Sequence, residues 1–320
     1  MKFMHYYKKY GILLIVILLS AVFAFLSPAF LSVTNIINIS KQITIMAILS
    51  VGMTFVLLTG GIELSMGSVV SLSVVTLSIY VIKFHWGIWP AMIAVVLAST
   101  LLGLVDGLII AKIKVPALII TLGMQIFLYG FTYSICGGLP VYGVPNSLKW
   151  VGQTYILGYI PVSALLMVII VAIGAFLLEK TYLGRYLFAI GSNETATNLS
   201  GINTDFVRVM AYTLCGFLSG VAGIIMLGRI GSGQPSAGEG YEMDVLTGCV
   251  LGGVSLTGGK GNLLKAFCGV LVIGILSNGM SMVGLNTFMQ KMVKGLVLMI
   301  AVILDSLQYI RVKKKVKVIQ

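Results

Sequence analysis

Charge is what this chain has least of. Asp and Glu number 9 together, His only 2, and charged residues make up 9% of 320, against roughly 25% in a soluble globular domain. So few charges cannot form the solvated shell of a soluble fold. Cysteine is equally sparse: Cys136, Cys215, Cys249 and Cys268 show no C-x-x-C spacing, and three fall inside apolar runs. That pattern supports neither a disulfide framework nor a metal site, and reads as small core residues. A phosphate-binding loop is missing too. The nearest approach, GGVSLTGGKG at 252–261, has Val254 where glycine is required and Gly261 where Ser or Thr must follow the lysine. No H-E-x-x-H motif occurs, and His5 and His85 fall near opposite faces of any membrane arrangement, so no nucleophilic triad has an assembled base. Catalytic residues, bound metal and bound cofactor are all expected to be none.

What the chain has is hydrocarbon. Hydrophobic residues make up 58% and the mean hydropathy is +1.07. Apolar segments lie near 10–30, 38–58, 66–82, 88–111, 116–135, 160–178, 207–228, 244–257, 263–283 and 288–308, most of them about 17–25 residues long, enough to cross a ~30 Å hydrocarbon core as helix. The expectation is an all-α polytopic membrane protein of about ten transmembrane segments, one transmembrane domain over 1–320 with a basic tail at 309–320. The eighth segment is too short for a straight crossing and is bounded by glycine-rich turns. It is expected to be broken or re-entrant and packed inside the bundle, because bare backbone cannot face lipid.

Ten crossings put both termini on one side. With that side cytoplasmic, 15 of the 21 Lys and Arg fall inside, the bias that orients membrane proteins. The net charge of +12 is spread over these clusters and forms no stripe, so nucleic acid is not an expected partner. A cleaved signal peptide is the rival reading of the start. The apolar run after Lys9 is about 17 residues, longer than the usual 7–15 of a signal core, and it is kept as the first helix.

The longest stretch without an apolar run, GRYLFAIGSNETATNLSGINTDFVR at 184–208, falls in the cytoplasm between crossings six and seven. Ser192 or Asn193 can cap a short helix there, Glu194 falls in its first turn, and Gly201 stops it. Such a helix suits docking to another protein; a solvated connector is the alternative.

Charges beside crossings are costly unless they sit at an interface or in a cavity. Glu63, in the turn Thr59-Gly60-Gly61-Ile62-Glu63-Leu64-Ser65, and Asp244, opening the eighth segment after Gln234, Glu239 and Glu242, read either as pathway and gate groups or as cap and loop charges. LLTGG (57–61) and SLTGG (255–259) recur at the ends of apolar segments. These turns, with Gly252 and Gly253, are candidate pathway elements, or places of close helix packing. Thr54, Thr59, Ser65, Ser71, Thr121, Gln125, Tyr129 and Asn278 are polar groups within crossings that suit either a sugar route or interhelical bonding.

The run Gly184-Arg185-x3-Ala189-x-Gly191-x-Asn193-Glu194-x-Ala196-x3-Ser200-Gly201 resembles the cytoplasmic loop signature of the inner-membrane permeases of bacterial ABC importers for ribose, xylose and galactose. The segments at 46–69, 114–124 and 246–269 resemble that family's second and third helices, the start of its fifth helix and its glycine-rich C-terminal signature. The chain departs from the family pattern at Glu63, where Asp is usual, at Asp106, where Asn is expected, and at Thr197-Asn198. The resemblance implies a transport subunit, not an enzyme, in the plasma membrane. It implies that Gly184, Arg185, Ala189, Gly191, Asn193, Glu194, Ala196, Ser200 and Gly201 couple the chain to a cytoplasmic ATPase, which uses ATP and Mg. It also implies an extracytoplasmic sugar-binding protein docking near 136–159 and 229–243, a second permease copy, and import of a ribose-type monosaccharide by alternating access. A nucleoside or other small polar solute in the same importer class, or a stand-alone secondary transporter, are the alternatives.

Overall fold

Proline marks where the helices begin. Of the seven prolines, Pro116, Pro145 and Pro161 stand at N-caps, Pro90 lies in a first turn, and Pro28, Pro140 and Pro235 lie in connections. In those places a missing N–H and a fixed φ do no harm. The computed structural model describes residues 2–156 and 158–317. Its long helices are α1 (Lys2–Leu26), α2 (Val33–Leu58), α3 (Met66–Ile82), α4 (Ile88–Leu108, extended by a π turn at Ile109–Ile113) and α5 (Ala117–Cys136). A short α6 (Asn146–Gln153) and a hairpin of β1 (Tyr155–Ile156) and β2 (Ile160–Pro161) lead into α7 (Val162–Lys180). After them come α8 (Tyr182–Ser192), α9 (Glu194–Leu199), α10 (Thr204–Ile230), α11 (Tyr241–Leu251), α12 (Leu263–Met282) and α13 (Thr287–Lys317).

Each of the ten expected segments carries helix, with corrected bounds. Among the described residues, six helices are long and apolar enough to cross a membrane, and Gly11–Leu26 and Met66–Ile82 are shorter apolar ones. The second helix begins at Val33 rather than 38, because the Ser32 hydroxyl accepts from the Asn35 amide at 3.3 Å and satisfies an otherwise orphan donor. The eighth segment is helical only over Tyr241–Leu251, about 16 Å at 1.5 Å per residue, half of a bilayer core. Gly253, with φ +84°, ends it. Helix α13 runs into the basic tail as far as Lys317; residues 318–320 of that tail lie outside the described residues.

Helix α2 is the axis of the bundle. From Ile43 to Leu58 every residue is buried, and α10 is buried over most of its length. Helices α4, α5 and α7 instead leave Leu97, Leu101, Ile119, Ile126, Phe127, Ile169 and Phe176 exposed, a surface suited to lipid. Helix pairs within a bilayer gain little from apolar burial and are held by close backbone packing. Small residues provide it: Gly103 of α4 meets Gly216 of α10, where a Cβ on Gly216 would stand 2.9 Å from the Gly103 Cα, and Gly248 of α11 meets Val270 of α12. The segment between α10 and α11 is a run of turns held to the rest of the chain at two points. Gly233 exchanges two backbone hydrogen bonds with Val141 (2.8 and 3.0 Å), and the Gly238 amide donates to the Ser71 hydroxyl at 2.9 Å. Non-helical backbone is thus hydrogen-bonded inside protein, as the hydrocarbon region demands.

Candidate coupling and pathway site

The polar stretch 184–208 is three pieces. Gly184 brings α8 against the Leu178 carbonyl of α7, and Leu187 and Ile190 are buried in the bundle. Asn193 is the cap of α9, its side chain accepting from the Ala196 amide at 2.9 Å. Glu194 opens the helix and Gly201 leaves it at φ +83°. The Arg208 guanidinium of α10 donates to both Glu194 carboxylate oxygens, at 3.1 and 2.8 Å. These hydrogen bonds hold the Glu194 carboxyl below the ordinary carboxylate range, so α9 is clamped onto α10 at neutral pH by a bidentate pair. Ala196, Asn198, Leu199, Ser200 and Gly201 face outward, with Leu199 85% exposed and Phe206 beside them 60%. Arg185 is exposed and lies over the Tyr182 ring at 4.3 Å. Ala189 is half-buried.

Gly191 joins this stretch to the interior. The Gly259 amide donates to the Leu58 carbonyl at 3.0 Å, which unites the two recurrent turns. Gly191 lies directly on that bond: a Cβ there would collide with both the Leu58 oxygen and the Gly259 nitrogen. Gly60 and Gly258 pack against one another beneath it, both at positive φ. LLTGG and SLTGG, about 200 residues apart in the chain, are therefore neighbours, bound to each other and to the C-terminal end of α8. Thr59 donates back to its own helix, to the Val56 carbonyl at 2.7 Å. Gly252 packs on Lys265 and Ala266, and Gly253 has open space above it.

Glu63 is 2% exposed and accepts from the Ser65 amide at 2.7 Å. The Ser65 hydroxyl donates to Asp106 at 3.3 Å. Asp244 forms a partly buried ion pair with Lys294 of α13 at 2.6 Å, and Glu239 faces Lys291 at 3.7 Å. These two pairs span a cavity of about 380 Å³ between α11 and α13, also lined by Thr247, Thr287 and Gln290. Glu242 turns the other way and accepts from Gln125 at 2.7 Å. Most of the polar groups inside crossings already bond within the bundle: Thr121 donates to the Ile62 carbonyl, and Asn278 and Asn35 exchange hydrogen bonds at 3.0 Å. Sequence reasoning does not single out Arg208, Tyr212 or Lys294 as site residues. Lys294 has a signal, a lysine eight residues into a helix that must cross lipid.

A helical bundle with six or more apolar spans, an outward-facing short helix clamped to its frame, and broken helices meeting inside defines a membrane transport subunit. The chain belongs to the family described as "Branched-chain amino acid transport system / permease component", whose model matches residues 35–302. It is 40% identical over 302 residues to the ribose import permease protein RbsC of Haemophilus influenzae, covering 93% of this chain and 92% of that protein. It is 40% identical over 303 residues to RbsC of Bacillus subtilis, covering 93% and 92%. It is 33% identical over 331 residues to the galactose/methyl galactoside import permease protein MglC of Escherichia coli, covering 97% and 98%. No solved structure matches. The chain is a multi-pass membrane permease of an ABC importer, not an enzyme, and the ATPase is a separate subunit.

Proposed function

We propose that this chain translocates a monosaccharide, ribose-type in preference, by alternating access in an importer whose ATPase docks on α9. The identity to ribose import permeases over nine-tenths of both chains supports the solute class. The observation that carries the mechanism is the seat of Gly191 on the Leu58–Gly259 hydrogen bond. A displacement of α8 and α9 cannot leave that bond unmoved, so it reaches both Thr-Gly-Gly turns. In this reading there are ten crossings with both termini cytoplasmic, Lys112, Lys114, Lys180 and Arg208 on the inner side, and α11 entering from outside as a half-span. Two copies pair around the pathway, and an extracytoplasmic binding protein delivers sugar over 136–159 and 229–243.

The exposed apolar residues of the inner loop are the contact surface for the ATPase. Replacing both Leu199 and Phe206 by arginine is expected to lose co-purification with the cognate ATP-binding subunit, because a few central residues carry most of the energy of such contacts and two new charges there would be buried without partners. Retention of the complex at wild-type yield would sink the docking assignment. Transport in liposomes without any ATPase would instead favour a secondary transporter.

The charged cavity between α11 and α13 is the outer gate of the pathway. Lysine and carboxylate side chains at this depth cannot be turned to lipid, and water or a second copy must face them. Asp244→Ala leaves Lys294 without its partner, and is expected to cut uptake roughly tenfold or more. Adding Lys294→Ala removes the orphan charge and restores part of it. Equal defects in single and double variants would rule out the pair as the acting unit.

A further inference from the structure

The buried acidic pair beside the first Thr-Gly-Gly turn has no counter-ion. Glu63 is 2% and Asp106 0% exposed, and among the described residues no Lys, Arg or His stands within ion-pair distance of either. Both carboxyls bond to the same residue: the Ser65 amide donates to Glu63 at 2.7 Å and the Ser65 hydroxyl to Asp106 at 3.3 Å. One oxygen of Asp106, Oδ1, has no partner, and neither has the hydroxyl of the fully buried Tyr212. That hydroxyl lies against Gly61, two residues before Glu63, where a Cβ would collide with it. An acidic cluster with an unpartnered carboxylate oxygen, a hydroxyl that no group engages and no basic neighbour lacks one positive charge. Burying two carboxylates with no compensation is prohibitive; losing one charge to a proton is the ordinary remedy.

We propose that Glu63 and Asp106 together bind a single proton, carried on Asp106, and that this proton positions α3, α4 and α10 around the first Thr-Gly-Gly turn. The geometry assigns the remaining negative charge to Glu63. It lies at the N-terminus of the 17-residue α3 and accepts from its cap residue, where the helix dipole favours an anion. Protonated Asp106 brings one charge fewer into the buried cluster and gains an O–H that can donate. The proton also stands on a mechanical line. Arg208, which clamps Glu194 of the coupling helix, is one helical turn from Tyr212 on α10. None of this depends on which solute is carried.

The test is infrared spectroscopy of the full-length permease in nanodiscs at neutral pH, wild type against Asp106→Asn, with melting temperature recorded in parallel. The difference spectrum is expected to show a carboxylic acid C=O stretch in the wild type that the variant lacks; Glu242, buried without a basic partner, contributes equally to both and cancels. Asparagine has the shape of the neutral acid, so the variant is expected to melt with the wild type at pH 7. Raising the pH removes the proton and sets two anions together, so the wild type is expected to lose stability in alkali by more than the variant. The comparison is needed because Arg208, Tyr212 and Cys215 of α10, Glu194 of α9, Lys114 after α4 and Cys249 of α11 are also titratable neighbours. Absence of the difference band overturns the proposal, as does an Asp106→Asn chain that fails to fold. Stabilisation of the wild type, but not the variant, by sodium over N-methylglucamine at constant ionic strength shows a bound cation instead, and overturns it too.

Discussion

Gly191→Val is expected to abolish ATP-driven uptake, leaving less than a few per cent of the wild-type rate, while the ATP-binding subunit still docks. Overpacked cores lose about 1–3 kcal/mol when the neighbours are flexible side chains. Here the neighbours are the Leu58 carbonyl and the Gly259 amide, which cannot turn aside without breaking the bond between them. Either α8 lifts from the bundle or the two turns part, and on the mechanism proposed above motion of α9 then no longer arrives at the turns. The check is uptake into proteoliposomes together with the yield of the purified complex. An internal control exists: a Cβ added at Gly123 on α5 would meet nothing within 4 Å, and that position faces outward. Gly123→Ala is expected to be silent, or to gain the ~0.5–1 kcal/mol that alanine has over glycine within a helix. Near-normal uptake by Gly191→Val would show that α8 and the turns move independently.

Gly216→Val is expected to leave no folded permease at all. Helices α4 and α10 cross at Gly103 and Gly216, with a Cβ on Gly216 colliding with the Ser99 carbonyl and standing 2.9 Å from the Gly103 Cα. Both helices place a second glycine four residues on, Gly107 and Gly220, each also in close contact across the interface. This is the small-x3-small arrangement by which helices approach in lipid. Two isopropyl methyls would force the axes apart along the whole stripe, at a cost above about 3 kcal/mol. That is a large part of the few kcal/mol by which a native fold is stable. Size-exclusion profiles of fluorescent fusions read the outcome directly. A monodisperse Gly216→Val peak with the wild-type melting temperature would mean that this crossing is not what holds α4 in place.

The glycine spacing of that interface is present in the sequence, at Gly103 with Gly107 and at Gly216 with Gly220, but a chain with 38 glycines offers many such pairs. Only the packed structure says which two face each other. The short helix α9 is legible in more detail. Asn193, Glu194 and Gly201 sit where cap, first turn and stop are expected, because a cap hydrogen bond spans three residues and a positive φ belongs to one. Of the two candidate caps, Asn193 takes the role, since Ser192 donates back to the Phe188 carbonyl as the last residue of α8. Glu194 reads from sequence as a charge available to a partner, and its carboxylate is instead engaged by Arg208. Gly184 and Gly191 are among the residues that the resemblance assigns to ATPase coupling, and each is closely packed against backbone of this chain.

Sequence by itself determined what is local or additive. Apolar runs fixed ten helical segments, prolines and serine or asparagine caps set where many of them start, and charge scarcity with charge bias fixed the class of protein, since each of these is a property of a short window or a sum over windows. The tertiary structure decided what depends on pairs of distant residues. LLTGG and SLTGG became one hydrogen-bonded junction, Glu63 met Asp106 through Ser65, and Asp244 found Lys294 fifty positions away. Which side chains meet is set by the angle and depth at which helices cross, and those are fixed by close packing of small residues over the whole bundle, a quantity that no local stretch of sequence contains.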